Sequence, residues 1–171
     1  MSTYIPSPRD WVREQVELYE SSGGTQGTTL RDTGLPVILV THTGNKTGAV
    51  RKTPLMTVKD GANYVLVGST GGAPENPVWV YNLRANPTIT LRDRTVVQTM
   101  RTREVTDDAE RARLWALAVA VFWWRRGARP GPPPAVPAWL QVAGVAVAAT
   151  PVSTFVVNLV PWWRAGAPAV A

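Results

Sequence analysis

Two apolar, partly β-branched runs joined by a glycine-rich basic turn occupy Pro36 to Val58 (PVILVTHTGNKTGAVRKTPLMTV), and they limit this chain more than any other stretch. LPVILVTHT has the length and apolar continuity of a buried strand. Gly44 and Gly48 let the backbone fold back. VRKTPLMTV then returns as a second strand. Pro54 has no N–H for a ladder, so that strand belongs at a sheet edge or a bulge. Such a hairpin needs turn residues but not three cations, yet Lys46, Arg51 and Lys52 stand close together. The surplus charge points to a held anion. Arg51 offers a planar fork for phosphate or carboxylate, Lys46 a point charge and Thr47 a hydroxyl. Residues 51 and 53 share a strand face, so Arg51 and Thr53 project together while Lys52 points away. This is not a Walker loop, because the spacing differs and no helix follows. A hairpin tip with solvated charges is the plain alternative.

Around this hairpin the pattern predicts a mostly antiparallel small barrel with helices outside it. Ser7-Pro8-Arg9-Asp10 predicts a capped helix whose buried stripe is Val12, Val16 and Tyr19. SSGGTQGTT reads as a mobile loop. Asp60-Gly61 and Asp93-Arg94 mark two more hairpins. Pro77 starts a short helix that stops before Pro87. Thr106 caps a last helix over DDAERARLWALAVAVFW.

A second loop, GSTGGAPENPVWVYNL, has chemical content of its own. Ser69, Gly71 and Gly72 let backbone approach a planar ligand at a strand end, and Trp79 offers a flat apolar face. Asn82, one turn on, can donate to and accept from a heterocycle edge. The plain alternative is that Trp79 plugs the core. A net charge of +6 favours acidic partners: nucleotides, polyanionic cofactors, nucleic acid or anionic lipid. The cations cluster at one hairpin without aromatic interleaving, which argues against nucleic acid. No cysteine and a single histidine argue against disulfides and a zinc site. The first residues carry no apolar leader, and the expected setting is cytoplasmic.

Together, PVILVTHTGNKTGAVRKTPL and VLVGSTGGAPENPVWVYNLRANP resemble the deazaflavin-dependent nitroreductase family, also called deazaflavin-dependent oxidoreductases. The lead-in SPRDWVREQVELYESSGGTQGT resembles its soluble branch. The resemblance implies a mainly β, FMN-binding split-barrel-like fold with flanking helices, binding coenzyme F-420. This is a 5-deazaflavin with a phosphodiester and an acidic glutamyl tail. It implies that Asn45, Lys46, Thr47, Arg51, Lys52, Thr53, Pro54, Leu55 and Met56 hold the phosphate and tail. Val67, Gly68, Ser69 and Thr70, with Val78, Trp79, Val80, Tyr81 and Asn82, would hold the ring. A reduced deazaflavin gives hydride to quinones, nitroaromatics or activated enones, with Ser69 or Tyr81 as candidate donor to the acceptor. FMN is the alternative cofactor, and a deazaflavin carrier without turnover the alternative role. A monomer or a homodimer is expected.

Three features depart from the family. Val80 stands where it usually has Tyr, with Tyr81 next. His42 replaces a small hydroxyl residue and reads as a strand-face histidine. After Phe122 the family's tyrosine-rich segment is missing. Residues 1–126 therefore read as the binding domain and 127–171 as an atypical Pro/Ala/Trp-rich tail, with STFVVNLVP offering a closing strand near 153–160. That tail holds no acid and no lysine. It reads as a family insertion, a peripheral membrane contact flanked by Trp, or an aberrant sequence.

Overall fold

Turn chemistry and apolar runs set the strands. The computed structural model describes residues 3–68, 75–125 and 153–158, and of Asp32, 123–125 and 153–158 the backbone alone. β1 (Val37–Thr43) pairs antiparallel with β2 (Val50–Met56), in register from Val37↔Met56 to Thr43↔Val50. β3 (Lys59–Asp60) and β4 (Asn63–Gly68) turn at Gly61, whose φ of 61° suits glycine. β5 (Thr88–Asp93) and β6 (Val96–Glu104) turn at Arg94. β7 (Ser153–Asn158) lies within the stretch expected to supply a closing strand and inserts between β4 and β6.

The sheet order is β2-β1-β5-β6-β7-β4-β3. All strand pairs are antiparallel. Because β2 and β3 are its edges, the sheet is not a closed barrel among the described residues. Pro54 lies on edge strand β2, where its missing N–H costs no ladder bond. The sheet nonetheless curls, since Ile38 and Val40 of β1 share one core with Tyr64 and Leu66 of β4, four places away in the sheet.

Three helices cover the strands. α2 (Val78–Ala85) inserts Trp79, Val80 and Leu83 into that inner core. On the opposite face, α1 (Asp10–Ser21) packs Val12, Val16 and Tyr19 against Val37 and Leu39. α3 (Asp108–Arg125) packs Leu114 and Ala118 against Val58, Val65 and Val105. Each fully buried aliphatic side chain contributes about 1.5–3 kcal/mol.

Three local expectations need correction. α1 begins at Asp10, and Ser7 Oγ accepts the Arg9 N–H ahead of the helix instead of capping it. At α3 the Asp107 carboxylate accepts the Glu110 N–H at 2.7 Å, so Asp107 caps in place of Thr106. An anion also suits the positive end of the helix. The glycine-rich stretch after α1 is pinned, not loose. Gln15 Nε2 donates to the Gly27 and Thr29 carbonyls at 2.6 and 2.7 Å. Gly24 (φ 88°) approaches so closely that a Cβ there would meet the Arg94 carbonyl oxygen at 2.0 Å.

Candidate functional site

The basic turn is a tight backbone loop. Gly44 N–H donates to the Ala49 carbonyl at 2.8 Å and Gly48 N–H to the Gly44 carbonyl at 2.9 Å. Gly48 takes a φ of 66°, and a Cβ at Gly44 would press on Thr47 Oγ1 at 2.9 Å. The closure therefore favours glycine at both positions, through space at Gly44 and through backbone angle at Gly48. Thr47 Oγ1 accepts the Ala49 N–H at 3.3 Å. Asn45, Lys46 and Thr47 are exposed at the tip.

The three cations of this corner have separate fates. Lys46 makes no ion pair among the described residues. Arg51 donates Nη1 to the Ile5 carbonyl at 3.2 Å, a neutral partner that leaves its charge uncompensated. Lys52 lies on the other face, where Nζ meets both oxygens of Glu20 of α1 at 2.7 and 2.5 Å and sits 4.6 Å over the Tyr4 ring. Strand alternation separates Lys52 from Arg51, so Lys52 fastens α1 and is taken from the anion set. Pro54 is buried and Leu55 packs against the inner core. Met56 packs on the α3 side.

The ring side is less open than expected. Trp79 is 8% exposed and Val80 fully buried, both within the inner core. Helical spacing turns the two inward with Leu83, so Trp79 is a core plug and Val80 offers no surface to a ligand. Val78 and Tyr81 face outward, 73% and 42% exposed. The Arg84 guanidinium lies 5.6 Å over the Tyr81 ring. Val67 packs towards α3 and Gly68 is buried. Ser69 and Thr70 fall outside the described residues.

Asn82 joins the two halves. Its Oδ1 accepts the Asn45 N–H at 3.0 Å, and its Nδ2 lies 3.3 Å from His42 Nδ1. His42 Nε2 in turn lies 3.1 Å from Thr53 Oγ1. Asn86 adds a contact to the Thr43 carbonyl at 3.5 Å. Burial, with Arg51 nearby, lowers the His42 pKa to about 4, so the ring is neutral at pH 7. Sequence reading placed His42 on a strand face but missed the network, whose members are far apart in the chain. The replacement of a small hydroxyl residue by histidine was the available signal.

A cavity of about 720 Å³ lies elsewhere, lined by Val37, Thr57, Lys59, Asp93, Val96 and Val121 among others. None of the expected coenzyme residues lines it. Of its charged residues, Lys59 and Asp93 pair at 2.7 Å, while Arg94 makes no ion pair among the described residues. The residues expected to meet the coenzyme gather instead around the basic corner.

With the corner defined, kinship can be weighed. The sequence profile of the F420H(2)-dependent quinone reductase family matches residues 11–124. The chain belongs to this family. It is 38% identical over 81 residues to an F420H(2)-dependent quinone reductase of Mycobacterium tuberculosis (strain ATCC 25618 / H37Rv), covering 47% of this chain and 53% of that one. The chain thus spans about half the length of the curated relatives it matches there. Among solved structures, an F420-H2 dependent reductase is 30% identical with a TM-score of 0.54, covering 72% of this chain and 94% of that one. A chain described as a domain-swapped dimer is 32% identical with a TM-score of 0.55, covering 89% and 100%. For this family member no helix among the described residues is long and apolar enough to cross a membrane.

Proposed function

We propose that this chain binds coenzyme F-420 at the basic corner and catalyses reduction of an electron-poor small molecule, a quinone first, with nitroaromatics and activated enones as further acceptors. The observation that carries the reading is charge left uncompensated: Lys46 and Arg51 have no carboxylate partner among the described residues, whereas Lys52 has Glu20. Two bare cations beside an exposed hydroxyl suit a phosphodiester with an acidic tail. Membership of a family named for F420H(2) favours this coenzyme over FMN.

In this reading Lys46 and Arg51 hold the phosphate and tail, aided by Asn45 and Thr47. Thr53 and Asn82 support the seat from beneath. Leu55 and Met56 continue the wall. When bound, the coenzyme would supply hydride chemistry. The residues contribute orientation and exclusion of water, which need no protein nucleophile. Ser69 is the proposed donor to the acceptor oxygen, and Tyr81, being outward-facing, a weaker one. The curled sheet supports a split-barrel reading, with residues 1–126 as binding domain and a strand supplied from the 127–171 tail. The swapped dimer among its structural neighbours supports a homodimer, in a cytoplasmic setting.

Titrating the full chain with F-420 by fluorescence, and with FMN in parallel, tests the cofactor. Oxidation of reduced F-420 by menadione, followed by the return of deazaflavin absorbance, tests turnover. Binding of FMN alone would overturn the reading, and F-420 binding without oxidation would leave a carrier.

A further inference from the structure

The hydrogen-bond chain through His42 has a fixed direction. A backbone N–H can only donate, so the Asn45 N–H fixes Asn82 Oδ1 towards the turn. The Asn82 amide nitrogen then faces His42 and can only donate, which makes Nδ1 the acceptor. Along this chain the proton of the neutral ring sits on Nε2 and points at Thr53 Oγ1, with the Thr43 carbonyl as the competing acceptor. Three elements are joined: β1 through His42, β2 through Thr53 and α2 through Asn82. The ring is 4% exposed and cannot reach a ligand outside. What it governs is the amide orientation of Asn82, and through it the backbone at the tip that bears Lys46.

We propose that His42 is a positioning residue: acting through Asn82, it sets the backbone of the basic turn and so the seat for the coenzyme's phosphate, without touching the ligand. Among the described residues no carboxylate pairs with the turn. Asn82 is its side-chain tie to α2, and an acceptor at the Nδ1 position reinforces the Asn45 N–H in keeping the Asn82 oxygen facing the turn. A small hydroxyl at position 42 would not span the distance to α2 in the same way. The phosphate part of the proposal rests on the function proposed above, whereas the turn-setting part does not.

Two substitutions separate the two ring nitrogens. His42→Asn puts an acceptor near the Nδ1 position and keeps the Asn82 link while losing Thr53. His42→Gln puts a donor near the Nε2 position and keeps Thr53 while losing Asn82. The expected result is that His42→Gln raises amide exchange at Asn45 and weakens F-420 binding, each about tenfold, as loss of one hydrogen bond allows. His42→Asn should leave both within about threefold. A merely structural histidine would make the two variants equal in exchange and affinity, which would overturn the proposal. Because His42 is the only histidine in the chain, its ¹⁵N ring shifts can be read in the unaltered protein even if a variant fails to fold. An Nε2–H tautomer supports the chain of bonds, and an Nδ1–H tautomer overturns it. If exchange at Asn45 divides as stated while coenzyme affinity does not move, the turn-setting part stands and the coenzyme reading of the turn falls.

Discussion

The β1–β2 turn and the region where the β5–β6 turn meets β3 are both charged, and they use charge in opposite ways. In the second, both carboxylates find a cation. Asp93 accepts from Lys59 at 2.7 Å and from the Tyr64 hydroxyl at 2.8 Å, and Asp60 pairs with Arg113 at 2.8 and 3.0 Å. In the first, Lys46 and Arg51 have no carboxylate partner among the described residues. Compensated charge ties elements together, and in the function proposed above uncompensated charge at the corner is what the coenzyme would meet. Lys52 sits in the first hairpin but behaves like the second region, because strand alternation turns it to Glu20.

The largest effect expected from this contrast is on binding. Replacing Lys46 and Arg51 together by alanine should weaken F-420 binding by about 3–6 kcal/mol, since a bond to a charged group contributes about 1.5–3. The melting temperature should hardly move. A titration with unchanged affinity would erase the distinction between the regions.

Next comes pH. Native His42 titrates near 4, and in the unfolded chain near 6.5. Above pH 6.5 both states are neutral there and the full stability is present. Between 6.5 and about 4 only the unfolded state binds the proton, so stability falls, by roughly 3 kcal/mol in all. Below that range both are protonated and the loss stops. Arg51 across the strand pair is the charged group facing the ring, while Thr53 and Asn82 are neutral. Urea midpoints at pH 7, 5.5 and 4 should therefore show a steeper decline in the unaltered protein than in His42→Asn.

Asp93→Ala should invert the first result. It strands Lys59 and the Tyr64 hydroxyl, costing about 1–3 kcal/mol of stability in urea unfolding, with coenzyme affinity unchanged. Burial raises the Asp93 pKa, but the bonds from Lys59 and Tyr64 outweigh this and hold it below the usual value. The contribution is present at neutral pH and fades as pH falls through that lowered pKa. The smallest effect belongs to Lys52→Met. With Glu20 freed, stability should fall by about 1 kcal/mol or less, as for a partly exposed pair, and affinity should stay within about twofold. A large loss of affinity would return Lys52 to the anion set.

The hairpins were legible because their signals are local: Asp60-Gly61, Asp93-Arg94 and the glycines at 44 and 48 each act within a few residues. The stripe Val12, Val16 and Tyr19 followed from helical period alone. Competition between neighbouring caps was not legible, since Thr106 and Asp107 both suit the role and geometry decides. Trp79 reads equally well as platform or plug, and only the curl of the sheet, which brings β1 over β4, makes it core. The Thr53–His42–Asn82–Asn45 chain is invisible to any window, because hydrogen bonds between distant positions leave no periodic trace.

The central place of β7 bears on how the molecule is made. A ribosome delivers β4 and β6 well before Ser153–Asn158, and until then both have bare backbone donors and acceptors along one side. Nascent chains must therefore endure an interval in which two sticky flanks stand open, and a neighbouring copy's late segment could dock there as readily as their own.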